Sequence, residues 1–442
     1  MLELLNTPAT PLADALPRLE EAVSSLVGIV REAPRLMVAA DEPRLHAFAC
    51  NLASSVGTTG SRTVEFAGSA HIDSDRARAA SIGEALERYS ATFLPTTAPP
   101  ASADELGAAV VIPESFALFH ERQFMADFPF SAFERSTRLS FVEGFSLQDG
   151  RSVLLPGQLV YLAPPHYKEP RIGYPTSNGL ACGPTLAEAI LSGLLELVER
   201  DAMMIVWSNR LSLPLLTTHG DERLESLEKQ VFAGTGLRYA AVETSVFFGI
   251  PATIGVVRGV AGERAALAVG AGCSVSIVDA WRTCLAEAFG VHRWLRSIFQ
   301  ADPERRVGHP ADVKDLEDHM LFYDGADRAA EAAFLDGSSA RRCSLDVPEL
   351  HGSTPGALIS QIVHRLADRG VSAFAVDVTS PDVEELGFKV ARVIAPELCA
   401  LDVLGAAPYR GGDRLYKAAF EVGLLEASLG FDDLNPLPHP YP

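Results

Sequence analysis

The sequence predicts an α+β fold of mixed sheets, with helices that carry clustered carboxylates. Three observations predict it. Strand-like and helix-like runs alternate without the strict βαβ order of a doubly wound sheet. The pattern E-x-x-E-R occurs twice, as Glu84-Ala85-Leu86-Glu87-Arg88 and Glu196-Leu197-Val198-Glu199-Arg200, each inside a helix-favouring run. The 442-residue chain, 48% hydrophobic and 21% charged, has the makeup of a globular protein long enough to bury a large core.

Taken in order, Leu19, Val23, Leu26 and Val30 at helical spacing predict a helix over residues 17–31, with Pro17 in its first turn. A Gly/Ser/Thr-rich stretch at 53–62 leads into a short strand at 63–66. A helix capped by Ser74 or Asp75 then runs to about Phe93 and carries the first E-x-x-E-R. Residues 95–103 read as a loop, and 139–162 as a β-hairpin turning at Gln148-Asp149-Gly150. A long helix from Leu186 to about Trp207 carries the second E-x-x-E-R. Residues 242–257 and 265–269 read as strands, 279–299 as a third helix, and 374–378 and 390–394 as late strands. Gly57-Thr58-Thr59-Gly60 and Gly270-Ala271-Gly272 read as turns.

Charge and cysteines narrow the function. A net charge of −20 argues against nucleic acid as the main partner, because such binding rests on Lys and Arg neutralising phosphates. No apolar run is long enough to span a bilayer, and the N-terminus lacks a basic stretch followed by an apolar one, so a cytoplasmic protein without a membrane partner is expected. The six cysteines form no C-x-x-C, which disfavours zinc and a disulfide framework. Cys182 reads as a small buried thiol rather than a nucleophile.

The acids carry the chemistry. At roughly 100° per residue, Glu188, Ser192, Glu196 and Glu199 fall at roughly 0°, 40°, 80° and 20°, on one narrow face. No Lys lies between Leu186 and Trp207 to relieve the repulsion. Such a face needs a cation, or structural ion pairs. Glu84, Glu87 and Arg88 repeat the arrangement, although Arg76, Arg78 and Arg88 could pair these acids. Four carboxylates offer the oxygen ligands that Mg²⁺ prefers. The third helix adds Arg282 and Glu287, which alone read as surface charge. Ser177-Asn178-Gly179-Leu180-Ala181-Cys182-Gly183 leads into the long helix and reads as a capped turn or an anion-binding approach. The chain ends in Pro438-His439-Pro440-Tyr441-Pro442, whose alternate prolines enforce a stiff, extended backbone suited to a placed function or to a proline-recognising partner.

Together, Ser81-Ile82-Gly83-Glu84-Ala85-Leu86-Glu87-Arg88-Tyr89, the block from Ser177 to Gly183 with Glu188-Ala189 and Glu196 to Ala202, and the proline-rich end resemble the YcaO family. The likeness is to its azoline-forming cyclodehydratases of ribosomal peptide natural-product pathways. It covers residues 57–442 and implies a YcaO-type ATP-binding fold, with 56–442 as the catalytic domain and 1–55 as an N-terminal helical segment suited to partner contact. It implies an enzyme that uses ATP and Mg²⁺ to phosphorylate backbone amides of a precursor peptide, giving thiazolines or oxazolines from Cys, Ser or Thr. By the resemblance Glu84, Glu87, Glu196 and Glu199 hold Mg²⁺. Ser81, Arg88, Asn178, Glu188, Arg200, Arg282 and Glu287 contact the nucleotide. Pro438, Pro440 and Pro442 order the active site, with the terminal carboxylate as a candidate base.

The sequence departs from the family where a glutamine usually follows the third-helix acid; Gly290 stands nearby. A lysine-containing glycine motif is replaced by Gly68-Ser69-Ala70, leaving Arg62, Arg76 or Arg78 to serve. About 55 residues precede the match, so leader-peptide docking is expected on a separate partner protein, and the resemblance makes a homodimer plausible. Thioamide or amidine formation by the same phosphorylation chemistry is the alternative activity, favoured less by the proline-rich end. A non-catalytic scaffold is the third reading, disfavoured by the full set of acids.

Overall fold

The computed structural model describes residues 7–54, 66–95, 98–259 and 264–442. The chain forms two compact units, each assembled from separate stretches. Met1–Met37, His46–Leu197 and His351–Leu398 make the first, and Val38–Leu45, Val198–Leu350 and Cys399–Pro442 the second.

The first unit holds helix α1 (Leu12–Glu21) and an antiparallel sheet of β1 (Val30–Glu32), β2 (His46–Leu52) and β3 (Phe66–His71) in the order β1-β2-β3. Helix α2 (Ser74–Ser90) packs on it. The predicted helix at 17–31 is corrected. Helix α1 starts five residues earlier, places Pro17 in its interior and stops at Glu21. The chain then reverses, with Val30 N bonding to Ala22 O at 3.0 Å and Ser24 N to Val30 O at 2.9 Å. This reversal carries Leu26 and Val27 outward, so their helical spacing reflects no buried face. Of the strand predicted at 63–66, only Phe66 is described; Gly57, Gly60 and Arg62 lie outside the described residues.

Helix α2 is capped one residue earlier than predicted: Asp73 Oδ1 accepts Arg76 N at 2.9 Å from an extended backbone. Its Ile82, Ala85 and Leu86 are fully buried in the core of this unit, Ile82 and Leu86 each contributing about 1.5–3 kcal/mol. A second antiparallel sheet has the order β5-β4-β12-β13-β6. Its strands are β4 (Phe141–Ser146), β5 (Ser152–Pro156), β6 (Leu180–Gly183), β12 (Phe374–Asp377) and β13 (Lys389–Ile394). The predicted hairpin is β4–β5, and its turn needs Gly150 at φ +75°. Strand β6 was expected as a turn. It pairs through all four residues with β13, Leu180 against Arg392 and Gly183 against Lys389.

Helix α3 (Leu186–Ser208) begins in the first unit and runs into the second, as predicted to within one residue. From Asp201 onward every residue is buried. The second unit's sheet has the order β10-β9-β8-β7-β11, with β7 (Leu215–Thr217), β8 (Arg238–Glu243), β9 (Ala252–Arg258), β10 (Leu267–Cys273) and β11 (Arg341–Cys343). Only the β7–β11 pair is parallel among these. The run read as one strand at 242–257 is two strands joined through a turn at Gly249 (φ +68°). Helix α4 (Ile277–Ala301) lies on β9 and β10.

Gly270-Ala271-Gly272 is strand, not turn, and the reason is packing. A Cβ at Gly270 would meet Ala288 N at 2.4 Å, and one at Gly272 would meet Ala280 O at 2.3 Å. Glycine there lets α4 approach the sheet backbone.

Candidate active site

In the first unit, Glu84 projects from α2 toward β3. Gly68 N donates to its Oε2 at 2.8 Å, and Arg88, one turn on, pairs with its Oε1. Arg88 also donates to Phe66 O at 2.8 Å. Glu87 lies near Cys182, whose thiol is pushed up by burial and further by that carboxylate. Cys182 therefore stays protonated, as a buried thiol should. Ser81 is fully buried with Oγ 3.1 Å from Cys50 Sγ, a packing position in the core. Arg78 is spent on Glu20 and on Ala33 O.

The same unit holds the start of α3. Gly179 N donates to Glu196 Oε2 at 2.5 Å. Gly179 adopts φ +75°, and a Cβ there would meet Val393 O at 2.3 Å, so this amide reaches Glu196 only from glycine. Asn178 is buried and donates to Thr176 Oγ1 at 2.9 Å. Thr185 caps α3: its Oγ1 accepts Glu188 N at 3.2 Å and donates to Glu188 Oε2 at 2.8 Å. The signature T-x-x-E was present in the sequence and marks this arrangement. Thr10 completes it, its N donating to Glu188 Oε1 at 2.9 Å and its Oγ1 to Oε2 at 3.3 Å. Glu188, expected to face a nucleotide, is held here by Thr10 and Thr185. Beside it lies a cavity of about 360 Å³ lined by Ala9, Cys182, Glu188, Ser192, Thr354 and Leu358.

In the second unit, the edge strand β10 organises two acids. Ala271 N donates to Glu287 Oε2 at 2.7 Å and Cys273 N to Glu199 Oε2 at 2.9 Å. Residues two apart on a strand present their amides along the same edge. Arg282 pairs with Asp279 at 3.0 Å on its own helix. Asp201, directly after the second E-x-x-E-R, is fully buried and ion-paired with Arg414, Arg414 Nη2 donating to its Oδ2 at 2.6 Å.

The proline-rich tail is fixed in this unit. A backbone with so many prolines offers carbonyls but few N–H groups, and side chains supply the donors. Trp207 Nε1 bonds to Leu437 O at 2.9 Å, Tyr323 Oη to Pro438 O at 2.5 Å, and a His319 ring nitrogen to His439 O at 2.9 Å. Pro438 and Pro440 are buried and Pro442 half-buried. His319, Asp402 and His439 bring ligand atoms within 4.8 Å of one another. Yet His319 faces the carbonyls of His439 and Val403, and His439 Nε2 that of Asp402, so we read this cluster as a clamp on the tail. Burial lowers the basicity of both rings, and His319 and Arg200 depress His439 further.

Four carboxylates, Glu84, Glu196, Glu199 and Glu287, thus each rest one oxygen on a backbone amide. Carboxylates, Glu84 and Glu196 in the first unit and Glu199 and Glu287 in the second, are the oxygen ligand type that Mg²⁺ prefers. Sequence reasoning missed Tyr441, whose hydroxyl touches both Glu199 and Glu287; the proline pattern drew attention to its neighbours instead.

Residues 70–399 match the YcaO cyclodehydratase family, described as ATP- and Mg²⁺-binding, and the chain belongs to that family. Its fold is similar to a heterocyclase in complex with substrate and cofactor, at a TM-score of 0.80 and 23% identity, covering 98% of this chain. The chain spans 58% of that heterocyclase's length. It is also similar to YcaO from Methanopyrus kandleri bound with AMPPCP and Mg²⁺ (TM-score 0.61, 19% identity, 93% of this chain and 96% of that one). The E. coli microcin synthetase McbBCD complex with pro-MccB17 bound gives a TM-score of 0.56 at 12% identity, over 85% of this chain and 90% of that one. No described helix is long and apolar enough to cross a membrane.

Proposed function

We propose that this protein is an ATP- and Mg²⁺-dependent cyclodehydratase acting on backbone amides of a ribosomally made precursor peptide. The observation that carries the reading is the set of acids oriented by backbone amides, on a chain of this family. In this reading Glu84, Glu87, Glu196 and Glu199 hold Mg²⁺, which supplies charge neutralisation for the phosphates. Asn178, Arg200, Arg282 and Glu287 position the nucleotide. Glu188 does so after exchanging Thr10 for the ligand. Arg88 acts through Glu84, and Ser81 is left out of the set because it is buried in the core. Pro438, Pro440 and Pro442 set the path of the tail that closes the site.

A Cys, Ser or Thr side chain of the substrate gives up its S–H or O–H proton to a base, for which the Pro442 carboxylate is the candidate, and attacks the preceding amide carbonyl, forming a C–S or C–O bond as the carbonyl π electrons move to oxygen. The resulting oxyanion takes the γ-phosphoryl group and ADP leaves. Phosphate then departs with the amide proton, closing a C=N bond, so the peptide loses one water per ring. Phosphoryl transfer of this kind needs positioning and charge neutralisation more than covalent chemistry by the protein.

A separate protein that docks the precursor's leader is part of the proposal, with residues 1–55 as a contact segment. The microcin synthetase to which the fold is similar is a McbBCD complex with pro-MccB17 bound. A homodimer and a cytoplasmic setting complete it, the latter supported by six free cysteines.

Incubation with ATP, Mg²⁺, partner and precursor, followed by mass spectrometry of the peptide, tests the reading. Loss of water with phosphate release is expected. Exchange of oxygen for sulfur would move the assignment to thioamidation, and absence of both mass change and phosphate release would favour a scaffold.

A further inference from the structure

Tyr441 is 3% exposed, and its Oη lies 3.1 Å from Glu199 Oε1 and 3.1 Å from Glu287 Oε1. The opposite oxygens of the two acids accept Cys273 N at 2.9 Å and Ala271 N at 2.7 Å. Each carboxylate is therefore gripped at both ends, by a strand amide on one side and by the tail's phenol on the other. A phenol has one proton to donate. It donates to one acid at a time and holds the other at contact distance, so it orients the pair without cancelling its charge.

We propose that Tyr441 is a positioning residue of the Mg²⁺–nucleotide site. Its hydroxyl aligns Glu199 and Glu287, so that seating of the C-terminal tail tightens divalent-cation binding. The proposal rests on the assignment of Glu199 as a metal ligand. Hydrogen-bond partners of ligating groups fix their orientation, and removing one costs about 10–100-fold in metal affinity. Deleting the hydroxyl alone should not unseat the tail, because Trp207, Tyr323 and His319 hold the carbonyls of Leu437, Pro438 and His439.

The test is Tyr441→Phe in the full chain. Bound Mn²⁺ is counted by electron paramagnetic resonance in the presence of a non-hydrolysable ATP analogue, beside a thermal melt. The expected result is a Mn²⁺ midpoint raised about tenfold, the wild-type number of bound ions at saturation, and an unchanged melting temperature. An unchanged midpoint overturns the proposal. So does a loss of binding that no Mn²⁺ concentration restores, which would make Tyr441 a purely structural residue. Wild-type protein that binds no Mn²⁺ with the analogue removes the metal assignment itself, and that result involves no variant.

Discussion

The two copies of E-x-x-E-R share their spacing and their helical setting but not their surroundings. In the first, Arg88 folds back onto Glu84 and Phe66 O, and the pair is about a quarter exposed. In the second, Glu196 takes the Gly179 amide while Glu199 takes the Cys273 amide and the Tyr441 hydroxyl. Its arginine, Arg200, lies near His439 of the tail. The pattern therefore sets where the charges stand, and the environment sets how each is balanced. In the first copy Glu84 meets its own arginine and a strand amide; in the second, Glu196 and Glu199 each meet a backbone amide, and Glu199 a phenol as well.

The largest expected effect breaks that comparison at the chemistry. Glu199→Gln keeps the side chain's shape but removes its charge, and phosphate release with precursor and partner should fall at least about a hundredfold, the scale of several kcal/mol of metal-assisted charge stabilisation. Glu84→Gln should lose less, because Arg88 already offsets that charge. Equal losses in the two variants would show that the arginine pairing is irrelevant.

Stability gives the next contrast. Asp201→Ala leaves the buried Arg414 without its carboxylate and should cost about 3–5 kcal/mol in urea unfolding. Arg88→Gln, breaking a partly exposed pair, should cost about 1 kcal/mol or less. Similar costs would place both ion pairs in the same class.

The smallest effect depends on pH. Burial raises the Asp402 carboxyl to about 7, opposed weakly by Arg410. An acid with a raised folded pKa binds more protons in the fold than in the unfolded chain. Its contribution to stability is thus present at low pH and is lost as pH rises from its unfolded pKa, about 4, to about 7. The slope of this loss is at most about 1.4 kcal/mol per pH unit. The buried His319 and His439, with lowered pKa, act in the opposite sense below about 6.5. Asp402→Asn should therefore gain stability over wild type on going from pH 5 to pH 8, measured by thermal melts; a constant difference would remove Asp402 from the pH response.

Legibility followed the physics of each element. Helix α3 was readable because its length and apolar content admit no other structure, and the β4–β5 hairpin because Gly150 marks its turn. Strand β6 and the second half of β10 were not, because their glycines read as turn formers. Those small residues are there for close approach: Gly183 sits against Ala189 N and Glu188, and Gly270 against the backbone of α4. Among the acids, helical spacing exposed Glu84, Glu196 and Glu199 as a pattern. It could not show that Gly68, Gly179 and Cys273 would supply their amides, because those partners lie outside the helices that carry the acids. The single hydroxyl at Tyr441 left no periodic trace at all.

Strand β10 is the last strand of its sheet, and such an edge presents unpaired N–H groups that invite pairing with another chain. Glu199 and Glu287 occupy two of them, at Cys273 and Ala271. The acids expected to handle nucleotide therefore also blunt the edge against intermolecular strand addition. Removing both would free two N–H groups on an apolar strand, linking solubility to the integrity of the site.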